Sequence, residues 1–203
     1  MQREEKSERS RRAVLDAALH LFAHQGYRAT AVRDVAERAG VSTGNLYHHF
    51  PDKESIFRAL IEEYLELTET RRFPFTRAFH ESERFPDNIE ALGHAARASV
   101  KQFRDYLALF YVDVIEFGGT HIQQFYGSMA ERFRRFFEEQ GSIEEVQARL
   151  RVSPVDAMLL TARVFFNYFS LEILFGVHEP FGKDSEAVVN EIADIIRNGV
   201  CAR

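Results

Sequence analysis

Apolar residues along this chain recur at intervals of three and four, and the two-residue alternation of a β-strand is nearly absent. Ala13, Ala17, Ala18, Leu21 and Phe22, widened by Val14 and Leu15, form one stripe ahead of Gly26, which predicts a first helix over about residues 8–25. Thr30 stands at an N-cap position for a second helix, whose apolar positions are Val32, Val35, Ala36 and Ala39 and which Gly40 ends. Ser42 caps a third, short helix. Pro51-Asp52-Lys53 closes it and opens a fourth, running through Ile56, Leu60, Ile61, Tyr64 and Leu67 towards about residue 72. The stretch FPFTRAFHESERFP, holding Pro74 and Pro86, reads as a linker with one helical piece. Helical patterns resume over about 88–117, pause at Gly118-Gly119 and continue to about 140. They break at Gly141-Ser142, pass through a short segment before Pro154, and finish over about 154–177 and 184–199 with HEPFG between. No repeat period emerges. The pattern predicts an all-α protein of about nine helices.

Composition narrows what such a chain does. With 203 residues, 45% of them hydrophobic, it can fill one large domain or two small ones. The opening MQREEKSERSRR lacks the apolar stretch of an export signal. The longest mostly apolar run, VFFNYFSLEILFGV, is interrupted by Asn167, Ser170 and Glu172 and falls short of the ~20 residues a membrane span needs. A soluble, cytoplasmic protein without a membrane partner is therefore expected. Cys201 is the single cysteine, so no disulfide and no cysteine-based metal site is expected within one chain. His20 and His24 have the i, i+4 spacing of a metal pair, but no third ligand is indicated, and Leu21-Phe22-Ala23 between them holds no glutamate. Neither metal nor cofactor is expected. With no Gly-rich phosphate loop, no G-x-S-x-G and no compelling Cys/His arrangement, the reading is that the protein is not an enzyme.

The net charge of −5 suits a polyanion binder poorly, but residues 1–50 hold eight Arg/Lys against six Asp/Glu, so the acidic excess lies in the rest of the chain. A mildly basic head on an acidic body fits a protein that touches a polyanion with one end. That head contains VSTGNLYHHFPDK, residues 41–53. The second and third helices, joined at AGVS, make a helix-turn-helix. At 100° per residue Leu46 and Phe50 fall together and must face the first two helices. Gly44, Asn45 and His48 project to the opposite side, flanked by Thr43 and Tyr47. A short helix of this kind fits the major groove of DNA. Asn45 carries both donor and acceptor for base edges, Thr43 a hydroxyl and a methyl, and Gly44 permits close backbone approach. Tyr47 and His48 can bond phosphate oxygens. Ser42, Lys53, Thr30 and Arg33 are further phosphate candidates near helix N-termini. The same pattern also fits an ordinary surface helix of a bundle, or a scaffold that binds only protein.

Residues 10–60 resemble the N-terminal domain of the TetR family of bacterial transcriptional regulators. The resemblance is carried by Leu-Phe before Gly26-Tyr27, Thr30 ahead of VRDVAERAGVS, Gly44-Asn45-Leu46-Tyr47, and Phe50 followed by Lys53. Ala31 departs from the Ser or Thr the family often has, leaving a phosphate contact there to Thr30. The resemblance implies a three-helix DNA-binding domain, here residues 1–51, and a helical ligand-binding and dimerisation domain, residues 52–203, with helix 52–72 linking the two. It also implies a repressor that binds a palindromic operator and is released when a small effector moves the linking helix.

One helix-turn-helix makes few contacts, so two copies on double-stranded DNA are expected on grounds of affinity. The final two predicted helices supply a candidate homodimer interface at Met158, Phe165, Val188, Val189, Ile192 and Ile196; the competing explanation is that these stripes are intramolecular core. The resemblance implies a small-molecule pocket in the middle helices, and walls rich in phenylalanine, of which the chain has nineteen and no tryptophan, would favour an apolar or aromatic effector. Phe103, Tyr106, Phe110, Phe117, Phe125, Phe166 and Phe169, with Arg104, His121 and Asn167 as polar groups among them, are the candidate ligand-binding residues. Core packing is the competing explanation for each.

Overall fold

The computed structural model describes residues 2–141 and 143–201; the predicted break at Ser142 lies outside them. The described residues form helices α1 (Gln2–Gln25), α2 (Val32–Ala39), α3 (Thr43–His49), α4 (Lys53–Thr68), α5 (Pro74–Glu81), α6 (Ile89–Gln102), α7 (Arg104–Phe117), α8 (Thr120–Glu139), α9 (Ile143–Arg149), α10 (Pro154–Ile173) and α11 (Ser185–Val200). The all-α class is as expected, but eleven helices replace about nine. The periodic run over 88–117 is two helices, parted at Phe103 with φ −115° and ψ 29°. No glycine or proline marks that position, so the apolar pattern reads straight through it. The short segment before Pro154 is the other addition, α9. Among the described residues no helix is long and apolar enough to cross a membrane.

The chain divides into two compact units, Met1–Glu66 with Asp105–Gln124, and Leu67–Arg104 with Phe125–Arg203. In the first, α1 packs on α2 and α3. Val14, Leu15, Ala18 and Phe22 of α1, Val35 and Ala36 of α2, and Leu46 of α3 are buried together with Phe50. Full burial of a leucine or phenylalanine side chain contributes about 1.5–3 kcal/mol. A seven-residue helix is not stable alone, so α3 exists because Leu46 and Phe50 are anchored.

Two residues of α7 pack on Tyr64 of α4. Tyr106 stacks on it at 5.4 Å between ring centroids, and Phe110 meets it edge-on at 5.5 Å. The Tyr106 hydroxyl donates to Glu63 Oε1 at 2.6 Å, and Arg12 Nη1 of α1 donates to the same oxygen at 2.6 Å. Burial, with the Glu63 hydrogen bond behind it, pushes the Tyr106 phenol up to about 12. The pause at Gly118-Gly119 is a tight turn in which both glycines have positive φ, 63° and 79°. The buried Asp113 carboxylate caps α8 across it, accepting from the amides of His121 at 3.1 Å and Ile122 at 3.0 Å.

The second unit is built on α6, whose buried face is Ile89, Leu92, Gly93, Ala95, Ala96, Ser99 and Val100. Small side chains there let α5, α10 and α11 approach closely. At Gly93 a Cβ would lie 2.8 Å from the Phe165 ring and 2.9 Å from Val189 Cγ1, so the glycine is required by close approach. The residues predicted for a dimer contact take part in this packing. Met158, Phe165, Val188, Val189, Ile192 and Ile196 are all buried within a single chain. The wide stripes of α10 and α11 face α6 and each other, because an intramolecular partner with small side chains fills the space beside them.

Candidate nucleic-acid interface

Local sequence explains how α3 is set in place. Gly40 adopts a left-handed conformation, φ 68°, and ends α2, and the Val41 amide donates back to Ala36 O at 3.0 Å. Ser42 then caps α3 as predicted, its hydroxyl accepting from the Asn45 amide at 3.1 Å. The helix stops at Phe50, which is extended (φ −135°, ψ 116°) as the residue before a proline must be. Asp52 and Ser55 then cap α4 reciprocally, the Ser55 amide donating to Asp52 Oδ1 at 2.7 Å and the Asp52 amide to Ser55 Oγ at 3.3 Å.

The face of α3 opposite Leu46 is open. Ser42, Thr43, Gly44, Tyr47 and His48 are exposed, Tyr47 by 50%. Asn45 is half-buried, and its Oδ1 is shielded from solvent without a hydrogen-bond partner among the described residues. His49 lies behind this face with its Nε2 in the same condition. Burial, and then the charges of His48 and Arg11, lower the His49 pKa, favouring the neutral ring. Arg33, in the first turn of α2, is exposed and makes no ion pair among the described residues.

Two predicted phosphate contacts, Thr30 and Lys53, make hydrogen bonds within the chain. Thr30 does not cap α2; the N-cap is Ala31, whose amide donates to Asp34 Oδ2 at 3.0 Å. The Thr30 side chain is fully buried and its hydroxyl donates to Gly26 O at 2.8 Å. Lys53 places its ammonium 4.2 Å from the Tyr27 ring centroid and donates to Tyr27 O at 2.7 Å and Thr30 O at 2.9 Å. It ties the start of α4 to the loop ahead of α2 and so positions the helix pair. Burial lowers its pKa. Tyr27, one of the residues that carry the family resemblance, is the ring on which this lysine rests.

The predicted ligand-binding residues are drawn from both units. Tyr106, Phe110, Phe117 and His121 belong to the first unit; Phe103, Arg104, Phe125, Phe166, Asn167 and Phe169 belong to the second. Phe117 packs on Tyr27 (4.8 Å) and Phe57 (4.9 Å), and the His121 Nδ1 lies 2.6 Å from Asp113 Oδ1, which makes both part of the first unit's packing. Phe103 and Phe166 are joined through Phe73, at 5.5 and 6.2 Å, and Phe75 adds a contact to Phe166 at 5.4 Å. Phe169 is fully buried beside Phe165, Phe125 is buried, and Arg104 and Asn167 are exposed.

Residues 14–60 match the family model for bacterial regulatory proteins of the tetR family. Over 56 residues the chain is 48% identical to the HTH-type transcriptional repressor KstR2 of Rhodococcus jostii (strain RHA1), a stretch that covers 28% of each protein. A 59-residue stretch is 42% identical to the HTH-type transcriptional repressor AcnR of Corynebacterium glutamicum, covering 29% of this chain and 31% of AcnR. The shared stretch thus spans less than a third of these curated relatives' length. Across the whole chain, a TetR family transcription regulator from Marinobacter aquaeolei VT8 superposes with a TM-score of 0.70 at 18% identity, covering 100% of both chains. The ketosteroid transcriptional regulator KstR2 of Mycobacterium tuberculosis superposes at 0.58 with 21% identity, covering 95% of each. At such identities the superpositions establish the fold. Residues 14–60 thus match the TetR-family helix-turn-helix domain, and the chain as a whole has the fold of TetR-family structures.

Proposed function

We propose that this protein is a transcriptional repressor whose α3 enters the major groove of operator DNA. The observation that carries the reading is the outer face of α3, where five consecutive-turn positions expose polar or absent side chains while Leu46 is fully buried behind them. Tyr47, His48, Ser42 and Thr43 meet phosphates and flanking base edges, Gly44 allows the backbone close, and Arg33 supplies a cation from α2. Asn45 reads a base after one side-chain rotation. Its unpartnered oxygen is a standing cost of about 1–3 kcal/mol that a base edge relieves. The names of the relatives matched over this domain, both transcriptional repressors, support the direction of control.

Two copies read a near-palindrome, with recognition helices about 34–36 Å apart on one face of the duplex. Since the buried stripes of α10 and α11 are used within the chain, the dimer contact in this reading uses side chains left outside: Leu160, Phe175, Phe181 and Ile195 are all exposed. The effector is apolar, received among the phenylalanines of the second unit near Phe103 and Phe166, which are half-buried. It acts by displacing α4. A hundredfold loss of DNA affinity requires only about 2.7 kcal/mol of differential binding. The domain division at residues 51 and 52 is the functional counterpart, separating what touches DNA from what senses the effector.

The test is binding of duplex DNA at increasing salt. Through phosphate contacts the log–log slope is about −0.9 per phosphate neutralised, and Tyr47→Ala weakens all sequences alike. Salt-insensitive binding, or a Tyr47→Ala variant with unchanged affinity, would refute the assignment in favour of a protein-binding scaffold.

A further inference from the structure

His20 and His24 lie one helical turn apart on α1, their ring centroids 4.5 Å apart. In sequence they are a pair without a third ligand. The fold supplies one: Asp105, the second residue of α7 and a member of the same compact unit, places its Oδ1 3.2 Å from His24 Nε2. One ligand atom from each of the three residues lies within 4.8 Å of the others. His20 and Asp105 are half-buried and His24 is exposed, so an ion can enter and keep water on its open positions.

We propose that His20, His24 and Asp105 form a binding site for a divalent transition-metal ion such as Zn(II), Co(II) or Ni(II). Two imidazoles and one carboxylate are a donor set that suits these ions and not Mg(II) or Ca(II), which take oxygen ligands. Metal–ligand distances of about 2.0–2.2 Å put neighbouring donor atoms about 3 Å apart. The His24–Asp105 pair is already at that separation, and His20 closes the remainder by a small side-chain rotation. Two histidines at i, i+4 on a helix present their ring nitrogens to one side, so the helix preorganises two of the three ligands. A plain His24–Asp105 ion pair accounts for two of these residues but gives His20 no role. The charge of Arg38 also reaches His20 and opposes a bound cation, so the carboxylate is needed to offset it. Bound metal braces α1 against the start of α7.

The experiment uses the full chain with any affinity tag removed, titrated with Co(II) and followed by visible d–d absorption, then with Zn(II) as competitor. Thermal melts are run in chelator and in excess Zn(II). The site predicts a single ion per chain with nitrogen–oxygen ligation and a melting temperature raised by Zn(II). His24→Gln and Asp105→Asn each weaken binding by at least about tenfold and lose the thermal shift. Both variants remain folded in chelator, since His24 is exposed and Asp105→Asn is nearly isosteric; a His48→Gln/His49→Gln variant retains binding. No stoichiometric binding by the unaltered chain, or equal binding by the His24 and Asp105 variants, overturns the proposal.

Discussion

Helices α3 and α10 are both amphipathic, and the chain uses them in opposite ways. Among seven residues α3 buries one, Leu46, and leaves Thr43, Gly44, Tyr47 and His48 exposed. Among twenty residues α10 buries ten, and its apolar stripe is met by α6 and α11. A wide apolar stripe therefore says that a helix is covered without saying by what. A narrow anchor backing a polar face leaves hydrogen-bonding groups held in fixed geometry and open to a partner, which makes α3 the helix whose outer face can be tested for one.

The sharpest way to break this contrast is truncation. Phe165→Ala removes a fully buried ring packed at Gly93 and is expected to destabilise the fold by about 3–5 kcal/mol. Tyr47→Ala, at a half-exposed ring on α3, is expected to change stability by less than about 0.5 kcal/mol. Denaturant melts of both variants check this. Equal stability losses would erase the distinction between the two helices. Next in size, Gly93→Ala forces a methyl to within 3 Å of both Phe165 and Val189 and is expected to cost about 1–3 kcal/mol by overpacking. If the variant is as stable as the parent, α6 is not the close-packed centre of its unit.

Ser42→Ala probes the other helix. Loss of the cap on the Asn45 amide should cost about 1 kcal/mol and fray the start of α3, measured as faster amide hydrogen exchange over residues 43–46. A further effect, confined to alkaline pH, is a pH dependence in the first unit. The Tyr106 phenol is held at about 12 against an ordinary 10.0, so the folded state retains a proton that the unfolded state gives up. Its contribution to stability is full below pH 10.0 and falls as pH rises through about 12. Tyr106→Phe should flatten the melting curve's decline over that window while removing the Glu63 hydrogen bond at every pH.

What was legible in the sequence follows from how local each feature is. Gly40, Ser42, Pro51 and the Leu46/Phe50 pair act within a few residues, so α2, α3 and the start of α4 were readable to within a residue or two. Thr30 misled because its hydroxyl has two local options, the helix ahead and the carbonyl of Gly26 behind, and it takes the second. Lys53 donates back to the chain at residues 27 and 30, a contact set by tertiary folding and invisible in spacing. The split at Phe103 has no breaker residue to announce it. The partners of α10 and α11 were ambiguous because an apolar stripe looks the same whether another helix of the chain or a second chain covers it. Asp105 is separated from His24 by most of the first half of the chain, so only the fold brings the two together.

The central claim, that α3 reads DNA by its outer face, is tested most directly by selecting duplexes from a random pool with the unaltered protein and with Asn45→Ala. The unaltered protein is expected to enrich two related half-sites about one helical turn apart, and Asn45→Ala to lose preference at particular base pairs, a change of about 1–3 kcal/mol there, while still binding DNA. An identical consensus from both proteins, or no enrichment by either, would contradict it.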